Sequence, residues 1–88
     1  MVVKPYTEEK IGNIINRVIK ESSEEHELVW HRDRKDRIVE IIQSKGWKFQ
    51  RDNELPFTLK KGDVLEIKKN TYHRVIKGEG DLVIKIKE

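Results

Sequence analysis

The apolar residues near the start of the chain recur at the spacing of one helix face. Polar residues cover the opposite face, and the apolar face is formed by Ile11, Ile14, Ile15, Val18 and Ile19. This spacing predicts one amphipathic helix from about Glu8 to Lys20, which Gly12 weakens slightly. The apolar stripe of that helix has to be buried, either against the rest of the chain or against a partner.

From Glu27 onward, short runs of β-forming residues alternate with turn residues. The predicted strands are Glu27–His31, Arg37–Gln43, Trp47–Gln50, Phe57–Leu59, Val64–Lys68, His73–Lys77 and Leu82–Lys87. The turns fall at Asp52-Asn53, Lys61-Gly62-Asp63, Lys69-Asn70-Thr71 and Gly78-Glu79-Gly80. The pattern predicts an all-β barrel or sandwich behind one N-terminal helix. The 88 residues fit one domain, in which residues 1–26 form the helix and a polar connection and residues 27–88 form the barrel.

Alternation along the strand Arg37–Gln43 predicts which side chains face the barrel interior. If Arg37 points inward, Val39 and Ile41 also point inward and Glu40 faces solvent. The other register, with Asp36 inward, also buries Glu40, and an unpaired buried carboxylate is costly. The register with Arg37 inward is therefore favoured.

The segment from Gly62 to Lys77 resembles the second sequence motif of the cupin superfamily. That motif runs Gly, five residues, Pro, one residue, Gly, two residues, His, three residues, Asn. Every interval matches, and Gly62 and His73 are retained. Lys68 stands for the proline, Asn70 for the second glycine and Lys77 for the asparagine. Asn is the residue after Gly that best tolerates a left-handed turn, so the change at Asn70 is physically reasonable.

The segment from His31 to Ser44 resembles the first cupin motif, which runs His, one residue, His, three residues, Glu, six residues, Gly. His31 keeps the first histidine, Asp33 takes the second, Arg37 takes the glutamate and Ser44 takes the glycine. Together the two motifs cover roughly residues 27–88. The resemblance implies a cupin-type antiparallel β-barrel, or jelly roll, whose mouth is lined by His31, Asp33, Arg37 and His73.

Three interpretations of this mouth follow from the chemistry of its residues. In cupins that bind metal, histidines and a glutamate hold one divalent ion, and His31, Asp33 and His73 would form a two-histidine, one-carboxylate site for iron, manganese, nickel or zinc. Arg37 is a permanent cation and opposes a metal ion there. The same residues can instead form a purely structural ion-paired cluster. In the third interpretation, the planar guanidinium of Arg37 binds a small polar or anionic ligand together with the histidines.

The function predicted from the sequence is a small cupin-like barrel that binds a small polar or anionic ligand at its mouth, or whose mouth has become structural. Enzyme activity is not favoured. One alternative is a metal-dependent cupin enzyme of the dioxygenase or isomerase type that uses His31, Asp33 and His73. Another is an interaction module for protein or nucleic acid that uses the helix and a basic rim around the second motif.

The amino-acid composition limits which classes of function are compatible with the chain. Charged residues make up 40% of the chain, and 19 basic against 16 acidic residues give a net charge of +3 with the signs interspersed, which does not favour nucleic-acid binding. The chain has no cysteine, so disulfides and thiolate chemistry are excluded. No apolar run is long enough to span a membrane, which predicts a soluble cytoplasmic protein. A domain this small has a limited core, which favours a homodimer.

Overall fold

The described residues of the protein fold as an eight-stranded all-β structure. The computed structural model describes residues 6–22 and 28–88. Its strands are β1 (Tyr6–Ile11), β2 (Ile14–Ile19), β3 (Arg37–Gln43), β4 (Lys48–Arg51), β5 (Phe57–Thr58), β6 (Val64–Ile67), β7 (His73–Ile76) and β8 (Leu82–Lys87). The predicted all-β class is confirmed.

The strands form two antiparallel sheets that share one core. The larger sheet has the order β1-β2-β8-β3-β6, and the smaller has the order β5-β4-β7. The inward residues of both sheets form a single apolar cluster, in which Trp47 is completely buried. Alternation along β3 follows the favoured register, because Val39 and Ile41 are buried while Glu40 is exposed. The predicted inward direction of Arg37 is therefore confirmed.

The predicted helix from Glu8 to Lys20 is wrong, because this segment is a β-hairpin. β1 pairs with β2 from Tyr6↔Ile19 to Ile11↔Ile14, and β2 continues the sheet by pairing with β8. Gly12 takes a φ of 61° at the first position of the two-residue turn, as the tight hairpin turns that fit strand twist require. Gly-Asn between two β-branched runs is a hairpin signal, and it outweighs the helical spacing of the isoleucines.

The strands from β3 onward lie close to their predicted bounds. The strand predicted at Glu27–His31, in contrast, is wrong in its described part. β3 and β8 have the predicted bounds, and Asn70 has a φ of 63°, which confirms the left-handed turn expected there. Residues 28–30 form no strand, and only His31 pairs, through an isolated bridge to His73. Val29 and Trp30 are exposed, so this stretch lacks the buried alternate positions that hold a strand in a sheet.

The outer face of the larger sheet carries exposed apolar side chains among charged ones. Ile38 and Val64 are 48% and 64% exposed, and Glu40 lies between them on paired strands. The homodimer stays a prediction. Within the described parts of the chain, no helix is long and apolar enough to cross a membrane.

Candidate metal centre

Two histidines meet at one end of the barrel because their backbones pair directly. The His31 amide donates to the His73 carbonyl at 3.0 Å, and the His73 amide donates back at 2.9 Å. Residues paired in this way project their side chains to the same face, and the two imidazole centroids are 4.4 Å apart. His73 is 3% exposed at the start of β7, and His31 is half-buried.

A backbone carbonyl fixes the tautomer of each ring. Nδ1 of His31 lies 2.8 Å from the Val29 carbonyl oxygen, and Nδ1 of His73 lies 2.8 Å from the Thr71 carbonyl oxygen. A carbonyl oxygen only accepts, so each Nδ1 carries the proton and donates it. In the neutral ring, Nε2 then holds a lone pair, which is the form in which histidine binds a metal ion.

Asp33 places a carboxylate beside these rings. Its Oδ2 lies 3.4 Å from Nε2 of His73, and among the described residues no donor forms a hydrogen bond with this buried oxygen. Burial raises the pKa of Asp33, but the contact with His73 and the positive charge of Arg37 outweigh burial and hold that pKa below its usual value. Asp33 is therefore ionised at neutral pH, and one of its buried oxygens is left without a donor.

Arg37, at the start of β3, has Glu88 as its main partner. Its Nε and Nη2 both lie 2.9 Å from Oε2 of Glu88, whereas its Nη1 is 3.4 Å from Oδ1 of Asp33. Arg37 thus contacts Asp33 as well, but this is the looser of the two contacts. The negative charge of Glu88 therefore compensates the positive charge of Arg37, which would otherwise oppose a metal ion at this mouth.

All four residues predicted at the mouth come together in the structure. The ligand atoms of His31, Asp33 and His73 lie within 4.8 Å of one another, close enough for one ion after a small side-chain adjustment. Asp36 lies outside this group, since it is exposed and accepts a hydrogen bond from the Lys69 amide at 2.8 Å.

A cavity of about 30 Å³ lies inside the barrel next to this cluster. Asp33, Arg37 and His73 form its polar wall, and most of the remaining wall is aliphatic and aromatic. This volume suits about one or two water molecules. The interior can therefore hold a metal ion or a very small ligand, whereas an organic substrate has to approach from outside the mouth.

The aromatic residues divide between core and surface. Trp47 and Phe49 are buried, as expected of core residues, while Trp30 and Tyr72 are 43% and 45% exposed. On the surface, the Arg74 guanidinium lies 4.9 Å from the Trp30 ring centre, and Arg32 stacks similarly on Tyr72.

Sequence reasoning missed two polar residues of the barrel interior. Glu88 lies 51 positions from Arg37 along the chain, and no local motif indicates their contact. Arg17 was placed on the polar face of the predicted helix, but it is 5% exposed, lines the interior cavity and donates to Glu8 at 2.7 Å. The signal for Arg17 was its position between Ile15 and Ile19 in a strand, where alternation turns all three inward.

Comparisons with known proteins agree with this architecture. No protein-family model and no curated protein matches the chain. A cupin-like protein from Thermotoga maritima is 28% identical, with a TM-score of 0.66, over 84% of this chain and 54% of that protein. This chain therefore spans about half of the Thermotoga protein.

Two further solved structures match nearly the whole chain. An RmlC-like cupin family protein with a double-stranded β-helix fold, from Methanocaldococcus jannaschii, is 18% identical over 97% of this chain and 81% of that one, with a TM-score of 0.69. A cupin-2 domain protein from Shewanella frigidimarina is 18% identical over 98% of this chain and 83% of that one, with a TM-score of 0.66.

The two antiparallel sheets, their register and these structural neighbours define an antiparallel β-barrel of the double-stranded β-helix type. The chain has the cupin superfamily fold. The resemblance of its two motifs to the cupin motifs is thereby confirmed at the level of the fold.

Proposed function

We propose that His31, Asp33 and His73 bind one divalent transition-metal ion. The observation that carries this proposal is the contact between His73 and Asp33. Nε2 of His73 lies 3.4 Å from Oδ2 of Asp33, and the ligand atoms of His31, Asp33 and His73 all lie within 4.8 Å of one another. In the neutral form of His73 with its proton on Nδ1, the Nε2 lone pair and the Asp33 carboxylate can both bind one cation.

The charges of the cluster support the same conclusion. With neutral histidines, Asp33, Glu88 and Arg37 sum to a net charge of −1, and the contacts of Arg37 with Glu88 leave Asp33 as the less compensated carboxylate. Partly buried charge is costly unless it is paired. A divalent cation would compensate Asp33, so the site is electrostatically suited to bind one.

The ligand set indicates which ions suit the site. Two imidazoles and one carboxylate are typical ligands for iron, manganese, nickel and zinc. When bound, such an ion supplies Lewis acidity, and three protein ligands leave coordination positions open to another molecule. An activity of the dioxygenase or isomerase type would require a substrate to reach those positions from outside the mouth, because the interior cavity is too small to hold one.

Metal binding is expected to raise the unfolding temperature of the wild-type protein. An ion present at 100 times its dissociation constant stabilises the folded state by about 2.7 kcal/mol, which raises the unfolding temperature of a domain this small by about 10 °C or more. Differential scanning fluorimetry with nickel, zinc and manganese, after removal of bound metal by chelation, measures this shift.

Variants of the proposed ligands test whether the metal-induced shift arises at this site. His31→Gln and Asp33→Asn should lose most of the metal-induced shift, and neither removes a residue of the apolar core. His26→Ala is the control for non-specific imidazole binding, because His26 belongs to neither cupin motif, and it should keep the full shift. The proposal would be contradicted if none of the three metals changed the unfolding temperature of the wild-type protein.

Arg37 supports a second function at the same site. Its Nε and Nη2 contact Glu88, but its Nη1 lies 3.4 Å from Asp33 beside the cavity and can donate to a small anion. We propose that a small polar or anionic ligand binds there, with formate as the probe. Formate should raise the unfolding temperature of the nickel-loaded wild type but not that of Arg37→Met. An equal response from both proteins would contradict this function.

A further inference from the structure

We propose that Glu88 is a positioning residue of the metal centre, which holds the Arg37 guanidinium away from Asp33 and so keeps Asp33 available as a ligand. This inference rests on the proposed metal-binding function. It concerns a residue outside both cupin motifs, and it explains how a permanent cation can occupy the position where the motif has a metal-binding glutamate.

The guanidinium lies between two carboxylates but is bonded to one of them. Nε and Nη2 of Arg37 are each 2.9 Å from Oε2 of Glu88, within good hydrogen-bond distance. Nη1 is 3.4 Å from Oδ1 of Asp33, which is too long for a well-formed hydrogen bond. Glu88 therefore determines where Arg37 lies.

The position of Glu88 is itself fixed by the β1–β2 hairpin. The Glu88 amide donates to the Asn13 carbonyl at 3.0 Å, and the Asn13 side-chain amide donates to the Glu88 carbonyl at 3.2 Å. Its side chain is only 10% exposed, so solvent screens its contact with Arg37 weakly. An anchored, poorly screened carboxylate can hold a guanidinium in one position.

Without the Glu88 carboxylate, the nearest described carboxylate to Arg37 is that of Asp33, four residues earlier in the chain. Arg prefers bidentate contact with a carboxylate, and such a contact would occupy both oxygens of Asp33. The ion would then have to displace the guanidinium, and the repulsion from Arg37 would no longer be compensated. Loss of Glu88 should therefore weaken metal binding mainly through Arg37.

A double-mutant cycle separates this mechanism from a simple loss of negative charge. Nickel affinity is measured by isothermal titration calorimetry for the wild type, Glu88→Gln, Arg37→Met and the double variant. We expect Glu88→Gln to weaken nickel binding by about ten-fold or more in the wild-type background, as replacing a residue that orients a metal ligand commonly does. In the Arg37→Met background, the same replacement should change the affinity by less than about three-fold.

Glu79→Gln is the matched control. Glu79 is an exposed carboxylate paired with Lys45 at 3.2 Å, and its replacement should leave nickel affinity unchanged. Equal losses from Glu88→Gln in both backgrounds would show that only the charge of Glu88 acts and would overturn the positioning role. No loss in the wild-type background would overturn it as well.

A crystal structure of the metal-free Glu88→Gln variant provides a second readout that needs no metal. Arg37 is expected to move onto Asp33, with two nitrogen–oxygen distances of about 2.9 Å. An Arg37 that stays in its present position would overturn the inference. Failure of the wild type to bind nickel would overturn the proposed function, whereas nickel binding without coupling between Arg37 and Glu88 would overturn this inference alone.

Discussion

Replacement of Gly78 by alanine is expected to destabilise the fold by about 3 kcal/mol or more, since overpacking a filled interior costs this much when the backbone has to move. A β-carbon at Gly78 would overlap the Lys45 carbonyl oxygen, the Trp47 amide nitrogen and the backbone of Gly46. None of these atoms belongs to a flexible side chain. The adjacent Glu79 amide donates to the Lys45 carbonyl at 2.8 Å, so separating the two segments also strains a hydrogen bond.

The loss is measured by chemical denaturation, with Gly12→Ala as the control. Gly12 has a φ of 61° but no heavy atom within 4 Å of a β-carbon there, so its replacement should cost only about 1–2 kcal/mol, from backbone strain. Asn tolerates the left-handed region, so Gly12→Asn should cost less than Gly12→Ala, whereas Gly78→Asn should be no better than Gly78→Ala. A stability of Gly78→Ala within 1 kcal/mol of wild type would contradict the close approach.

Replacement of Arg17 by methionine is expected to cost about 3 kcal/mol, because it breaks a buried ion pair and leaves one partner uncompensated. Arg17 is 5% exposed on the inner face of β2, and its Nε and Nη2 donate to Oε2 of Glu8 at 3.0 and 2.7 Å. The Glu8 side chain is 25% exposed, so water can solvate it partly and the loss should fall at the lower end of the range for buried pairs.

Two further variants test the origin of that loss. Lys20→Met removes a cation that lies 3.8 Å from Asp81, with both side chains well exposed, and should change stability by less than about 0.5 kcal/mol. Arg17→Met combined with Glu8→Leu should recover much of the stability, because an apolar pair needs no compensating charge. If Arg17→Met and Lys20→Met are equally mild, the Arg17–Glu8 pair does not stabilise the barrel.

The strands were predictable wherever alternation and β-branched residues agreed with the turns. Arg37–Gln43 and Leu82–Lys87 have the predicted bounds because each has apolar residues at alternate positions facing one core. The helix prediction for the segment from Glu8 to Lys20 was wrong because the spacing of its isoleucines is compatible with both the helical and the strand period. Only the Gly12-Asn13 turn distinguishes the two, and pairing with β8 decides in favour of the hairpin.

The site was predictable as far as the cupin motifs reach. The intervals in both motifs predicted that His31, Asp33, Arg37 and His73 lie together. They did so although only one histidine of the first motif is retained. The contact of Arg37 with Glu88 depends on the register between β3 and β8, and no spacing within either segment encodes it. The sequence therefore indicated a cation opposed to metal binding, whereas the structure places a carboxylate against that cation.

X-ray absorption spectroscopy of the nickel-loaded protein tests the metal centre most directly, because it counts imidazole ligands around the ion. Loading is followed by dialysis, so that only bound nickel contributes to the spectrum. The structure predicts one ion per chain with two imidazoles and additional oxygen ligands, and one imidazole fewer in His31→Gln. A bound ion without imidazole scattering, or a spectrum that is the same in the wild type and in His31→Gln, would contradict a centre formed by His31, Asp33 and His73.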